Sequence, residues 1–177
     1  MDPTWKLLSR RPGSAGYLPI ETQTFQLPDG SESDWDVYGR DASVGVLALT
    51  AAREVVLVRQ FRPGPGVLLD ELPGGYVEDG EAVLVAAARE LREETGYAGE
   101  LELAGASWLS ASSRTRRFAV VARDAHIVGP PSPEPGEFCE VRTCSLAAFR
   151  RHLRGGALTD VDLGYLALDH LGLLGAG

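Results

Sequence analysis

Two kinds of periodicity divide the chain. Polar and apolar residues alternate in two runs, residues 21–27 and 34–40, on either side of Pro28-Asp29-Gly30. Period-2 runs joined by a short Pro/Gly turn predict a hairpin. A unit of two or three such strands is not stable alone in water, so it must pack on the main body or on a second subunit. From Ser43 the pattern changes to nearly continuous apolar runs, residues 43–50 and 54–61, which predict buried strands of one sheet. A loop, Pro63-Gly64-Pro65-Gly66, leads to a short strand at 67–72. Residues 81–95, rich in Ala, Leu, Glu and Arg and stopped by Gly96, predict the clearest helix. Strands are expected at 101–109, 116–124 and 138–145, with a proline-dense loop at 129–136 between the last two. Helices are expected at 146–153 and 159–174. The pattern predicts an α/β sandwich, residues 43–177, with helices on both sides of a mixed central sheet, preceded by a small N-terminal antiparallel β unit, residues 1–42.

Composition narrows the functional classes. With 177 residues, 44% hydrophobic and 24% charged, the chain suits one ordinary globular domain with a small appendage. No apolar run approaches the roughly 20 residues needed to span a bilayer, and the start lacks the layout of a secretory signal, so no membrane partner is expected. Two cysteines, Cys139 and Cys144, are too few for a disulfide framework and point to a reducing compartment, the cytoplasm. The net charge of −8 argues against nucleic-acid binding driven by bulk charge. It leaves room for a phosphate-bearing small molecule, provided local arginines and metal ions offset the field.

Part of that acidity lies on one helix. At 100° per residue, Glu90 and Glu94 are about 40° apart and Glu93 is about 60° to the other side of Glu90. Leu84, Ala87, Ala88, Leu91 and Thr95 occupy a separate arc, expected to face the core. Like charges at this spacing destabilise a bare helix by a few tenths of a kcal/mol per pair, so something must offset them. A hard divalent cation does so naturally, since magnesium prefers carboxylate oxygens, water and phosphate. The plain alternative is a solvated acidic face paired with Arg89 and Arg92.

The surroundings decide between these. Gly75, Glu81, Arg89, Glu90, Glu93, Glu94 and Gly96, with Leu91 and Tyr97 in the apolar slots, fill Gly-x5-Glu-x7-Arg-Glu-U-x-Glu-Glu-x-Gly-U, where U is apolar. At ordinary residue frequencies a chance match is on the order of 10⁻⁵ or less. This segment resembles the signature box of the Nudix hydrolases, whose fold is an α/β/α sandwich. The resemblance implies metal ligands at Glu90 and Glu94, with Glu93 close enough to bind metal or accept a proton. It further implies that Arg89 orients the acidic side chains and that the Gly74 carbonyl is a further ligand. Two or three magnesium ions, or manganese in their place, would be the cofactors.

Outside the box, Val58-Arg59-Gln60-Phe61-Arg62-Pro63 and Glu71-Leu72-Pro73-Gly74-Gly75 resemble stretches of ADP-ribose pyrophosphatases and related nucleoside-diphosphate-sugar hydrolases. The resemblance implies that Arg59 and Arg62 lie near the substrate and that Glu71 helps hold the site together. Unaided, the two arginines read either as phosphate forks or as partners of Asp70 or Glu71. The N-terminal unit resembles the small sheet that such enzymes exchange in a homodimer, where Trp35 would stack on the adenine. A general base in this subfamily often comes from a late mobile loop, which points to Glu137, with Glu93 as the alternative. One stretch departs from the pattern: Ser110-Ala111-Ser112-Ser113-Arg114-Thr115-Arg116-Arg117 replaces a Ser-Pro-Gly and acidic residue. Its arginines read either as a solvated loop or as a site for an extra phosphate or a different sugar. The implied activity is cleavage of the diphosphate of ADP-ribose or a similar nucleoside diphosphate sugar to a nucleoside monophosphate and a sugar phosphate. The alternatives are hydrolysis of a dinucleotide or nucleoside triphosphate, and a non-catalytic nucleotide-binding module.

Overall fold

The computed structural model describes residues 4–13, 18–133, 136 and 138–175. They divide into two compact units, Met1–Ala42 with Trp108–Arg116, and Ser43–Ser107 with Arg117–Gly177. The first unit thus takes in a segment distant in sequence, which a boundary drawn at residue 42 leaves with the rest.

In the first unit, β1 (Lys6–Pro12), β2 (Ile20–Gln26) and β3 (Glu32–Tyr38) form an antiparallel sheet in that order. The β2–β3 hairpin pairs Ile20 with Tyr38 and Gln26 with Glu32. Its turn is closed by Asp29, whose carboxylate accepts from the Ser31 amide and hydroxyl, bonds that lower the Asp29 pKa. β1 is a third strand that the sequence pattern did not specify, because its residues are exposed throughout and carry no alternation.

The second unit is built on a seven-stranded mixed sheet. Its strands are β4 (Ala42–Thr50), β5 (Glu54–Arg62), β6 (Val67–Glu71), β7 (Gly74–Tyr76), β8 (Tyr97–Trp108), β9 (Arg116–Ile127) and β10 (Glu140–Ser145). The path runs β10-β5-β4-β9-β8, with β6 paired to β5 and β7 to β4. Period-2 geometry sorts the apolar residues onto two faces. Leu47, Val55, Leu57, Ala119 and Val121 pack with Phe149, Leu153, Leu163 and Leu168 from α2 (Leu146–Gly155) and α3 (Val161–His170). Val44, Val46, Ala48, Val56, Val120 and Ala122 pack instead with Ala86, Ala87 and Leu91 from α1 (Val83–Thr95). The helices lie on both faces, as the nearly continuous apolar runs of the strands require.

Two features of α1 differ from the sequence expectation. It starts at Val83 rather than Glu81, because the Glu81 side chain is occupied in the preceding loop, where it accepts from the Glu78 amide and from Arg89. Leu84 is 39% exposed and Ala88 is also on the outside. The buried arc is Ala86, Ala87, Leu91, Glu94 and Thr95, so the helix is rolled to bring a carboxylate inward.

Gly96 ends α1 with φ 74°, its N–H donating to the Arg92 carbonyl. A Cβ there would lie 2.2 Å from the Gly129 carbonyl oxygen. Left-handed backbone alone costs a residue with a Cβ about 1–2 kcal/mol. Gly96→Ala is expected to lose more than that, read as a lowered midpoint in urea unfolding; a loss under about 1 kcal/mol would contradict the close approach.

Candidate active site

The box segment folds as strand, loop and helix, and Arg89 organises it. Its guanidinium donates to both oxygens of Glu81 at 3.1 and 3.0 Å, to Glu90 at 2.7 Å, to Glu93 at 3.4 Å and to the Tyr76 carbonyl at 3.1 Å. The Glu81 hydrogen bond is the main reason the Arg89 pKa is raised, and the same pair lowers the Glu81 pKa. The repulsion expected among the glutamates is thus met by one cation on the same helix.

Glu90 and Glu94 both border the Gly74–Gly75 backbone of β7. The Gly74 amide donates to Glu94 at 2.8 Å, and the Glu94 side chain is buried. A Cβ on Gly75 would lie 2.4 to 2.8 Å from the Glu90 carboxylate. This glycine is therefore needed for the close approach of a carboxylate. β7 is itself pinned to β4, with Gly74 opposite Gly45 and Gly75 opposite Val44.

This arrangement fits a hard cation. Among the described residues no group of three His, Cys, Asp or Glu side chains is set to hold an ion. An ion here would draw on the Glu90 and Glu94 carboxylates, a backbone carbonyl such as that of Gly74, water, and the oxygens of a phosphate. That mixed oxygen set, with several positions left to water and phosphate, is the one magnesium favours. Glu93 is held by Arg89 at 3.4 Å and is the least enclosed of the three carboxylates.

A second polar cluster lies on β5 and β6. The register sets Arg59 opposite Asp70 and Val58 opposite Glu71. Arg59 grips Asp70 with two hydrogen bonds of 2.7 Å, which lower the Asp70 pKa. Arg62 donates through Nε to Glu71, which is fully buried and also accepts from the Thr159 amide at 3.1 Å and from the Thr159 hydroxyl. Both arginines have the carboxylate partners that the sequence left as an alternative to phosphate. The carboxylates that take them, Asp70 and Glu71, are adjacent and so face opposite ways across β6.

The basic loop does not gather its arginines at one point. Arg117 is buried and bridges Asp160 at 2.5 Å and Asp162 at 3.0 Å. Arg114 pairs with Glu21, and Arg116 lies over the Trp108 ring, 5.1 Å from its centroid. Trp35 is 44% exposed on β3 and packs against Trp5, with ring centroids 5.4 Å apart. Glu137 lies outside the described residues. The Thr159–Asp160 pair escaped the sequence reading, since Thr-Asp before a helix reads as an ordinary cap. Asp160 makes no such side-chain cap bond.

Comparison with known proteins places this geometry in a family. The sequence profile of the NUDIX domain matches residues 39–160. The ADP-sugar pyrophosphatase of Mus musculus is 36% identical over 143 residues, 71% of this chain and 66% of that protein. The ADP-ribose pyrophosphatase of Bacillus subtilis is 34% identical over 84 residues, covering 48% of this chain and 45% of its own. The chain thus spans between 45% and 66% of the length of these curated relatives. A crystal structure of an ADP compounds hydrolase shares the fold, with a TM-score of 0.76 at 20% identity, over 96% of this chain and 97% of that one.

The contact between Gly75 and Glu90 gives a direct check. The far end of a glutamate can swing away from an added methyl, so Gly75→Ala is expected to melt within a few degrees of the parent. Displacing the carboxylate should nonetheless weaken manganese binding about 10–100-fold, followed by the paramagnetic resonance of the free ion. Unchanged affinity would separate Glu90 from the ion.

Proposed function

The chain belongs to the NUDIX domain family, and from that premise we propose that it is a metal-dependent pyrophosphohydrolase. Its substrate is ADP-ribose or a similar nucleoside diphosphate sugar, cleaved to a nucleoside monophosphate and a sugar phosphate. The observation that carries the reading is the convergence of Glu90 and Glu94 on the Gly74–Gly75 backbone, with Arg89 holding the surrounding carboxylates. A binding module has no need of such an arrangement. The substrate class is supported by the names of the relatives, an ADP-sugar and an ADP-ribose pyrophosphatase. The loop arginines that kept a dinucleotide or triphosphate in view are engaged with Glu21, Trp108 and the Asp160–Asp162 pair.

In this mechanism Glu90, Glu94 and the Gly74 carbonyl would hold the divalent ions, magnesium or manganese, two or three in number. When bound, these supply Lewis acidity toward the phosphates and lower the pKa of the attacking water. Arg59 and Arg62 orient the diphosphate through their guanidinium edges. Water oxygen forms the new bond to one phosphorus, the bridging P–O bond breaks, and its electron pair leaves with the departing phosphate. One proton from the water goes to a carboxylate, Glu137 or Glu93. Arg89 keeps the glutamates in place throughout. The proposal includes a cytoplasmic homodimer in which the N-terminal unit is exchanged, bringing Trp35 to the adenine of the partner's substrate. No disulfide joins Cys139 and Cys144, and no described helix is long and apolar enough to cross a membrane.

The test is a panel of nucleoside diphosphate derivatives assayed for monophosphate release with and without magnesium. ADP-ribose or an ADP-sugar is expected to lead, with no turnover in chelator. Metal coordination contributes several kcal/mol to such a transition state. Glu94→Gln is therefore expected to lower kcat/KM by about 100-fold or more. Full activity in that variant would sink the ligand assignment, and absence of turnover on every substrate would sink the enzyme.

A further inference from the structure

We propose that Thr159 and Asp160, at the entrance to α3, are positioning residues that aim Arg62 at the diphosphate by way of Glu71; this rests on the pyrophosphohydrolase reading. Glu71 has no exposure, and a carboxylate so buried is tolerable only with its lone pairs taken up. One oxygen receives Arg62 Nε, and the other receives both the amide and the hydroxyl of Thr159. Two donors on one oxygen fix the plane of the carboxylate, and the plane fixes the edge of the guanidinium. Arg62 is 37% exposed, and its Nη groups make no hydrogen bond among the described residues. They remain for a phosphate fork.

Thr159 is itself held from behind. Its carbonyl accepts from Arg117 at 3.3 Å, while the same guanidinium grips Asp160 at 2.5 Å and Asp162 at 3.0 Å. Ser107 donates to the far oxygen of Asp162, tying the group to β8. Asp160 has the place of a helix cap but makes no side-chain cap bond, so its carboxylate serves Arg117 instead. The result is a continuous path, Arg62–Glu71–Thr159–Arg117 with Asp160 and Asp162, in which Glu71 and Arg117 are buried. Four charged groups face Asp160: Arg117 and Arg62, which lower its pKa, and Glu71 and Asp162, which raise it. Burial dominates and pushes it up to about 6.

The test uses Thr159→Val, which keeps the shape and removes the hydroxyl, beside Thr159→Ser, which restores it. Hydrogen bonds to charged groups are worth enough to shift an affinity by about 10-fold or more. In the metal-loaded enzyme with ADP-ribose, Thr159→Val is expected to raise KM by about that factor with kcat within about 3-fold, and Thr159→Ser to return to parental KM. A role confined to stability would lower the melting temperature and leave KM alone, and that result overturns the proposal. Equal impairment in the serine variant also overturns it. A second readout needs no substrate: the carboxyl resonance of Asp160 is titrated by ¹³C NMR. Arg62→Gln removes a cation that stabilises ionised Asp160, so its midpoint should move upward from about 6. A midpoint unmoved in Arg62→Gln shows the two ends uncoupled. If the parent turns over no nucleoside diphosphate derivative, the pyrophosphohydrolase reading fails, and this titration alone decides the coupling.

Discussion

One guanidinium makes the acidic helix possible. Without Arg89, the carboxylates of Glu81, Glu90 and Glu93 would repel one another across a partly dried surface, at a cost of a few tenths of a kcal/mol for each neighbouring pair and with fewer donors for their oxygens. With Arg89 in place, each is within 3.4 Å of a cation, and the loop before the helix is drawn in through Glu81 and the Tyr76 carbonyl. The rolled orientation of α1 follows. Once Arg89 takes the outer carboxylates, Glu94 is left to turn inward and is satisfied by the Gly74 amide. Ala88 falls at the edge of the buried arc, whereas Leu84 shares the direction of Leu91 and Thr95 and is 39% exposed because it stands in the first turn.

The same logic recurs three residues before Gly74. Glu71 is a buried carboxylate whose lone pairs are taken by Arg62 and Thr159. Between Glu71 and Gly74 lie only Leu72, which is in the core with Phe149 and Leu163, and Pro73, whose carbonyl accepts from the Val46 amide. The backbone that meets the metal-ligand candidates is therefore fixed at both ends by satisfied charges and in the middle by packing. Such rigidity is what a site for charged ligands requires, because a ligand held on loose elements loses affinity to ordering.

Periodicity made the architecture legible. The 43–50 and 54–61 runs became β4 and β5, and alternation placed Leu47 and Val46 on opposite faces as strand geometry demands. The box was legible because its spacing is set by a helix and its glycines by close approach, both local. Partner choice was not. Arg59 meets Asp70 because β5 and β6 pair in one register, and a shift of one residue would have brought other groups together. Arg117 meets Asp160 across 43 residues of sequence, a distance that no local rule spans. The third strand of the small sheet was missed for the opposite reason: it has no buried face to leave a pattern.

On the proposed function, how an acidic chain would receive an anionic substrate is a matter of exchange rather than of bulk charge. Arg62 is bound by a single edge, so a phosphate can add to its other edge without displacing Glu71. Arg59 is bound by both nitrogens of one edge to Asp70, which is itself partly exposed and can be hydrated if the arginine turns away. Arg89 is different. Five oxygens from four residues surround it, so on the proposed function Glu90 would share its charge between Arg89 and a bound ion. On the proposed function, a divalent ion would take up part of the Glu90 and Glu94 charge through the carboxylate oxygens that such ions favour. Arg89 thus holds the acidic cluster together without an ion, and on the proposed function the cluster would not need rebuilding to receive one.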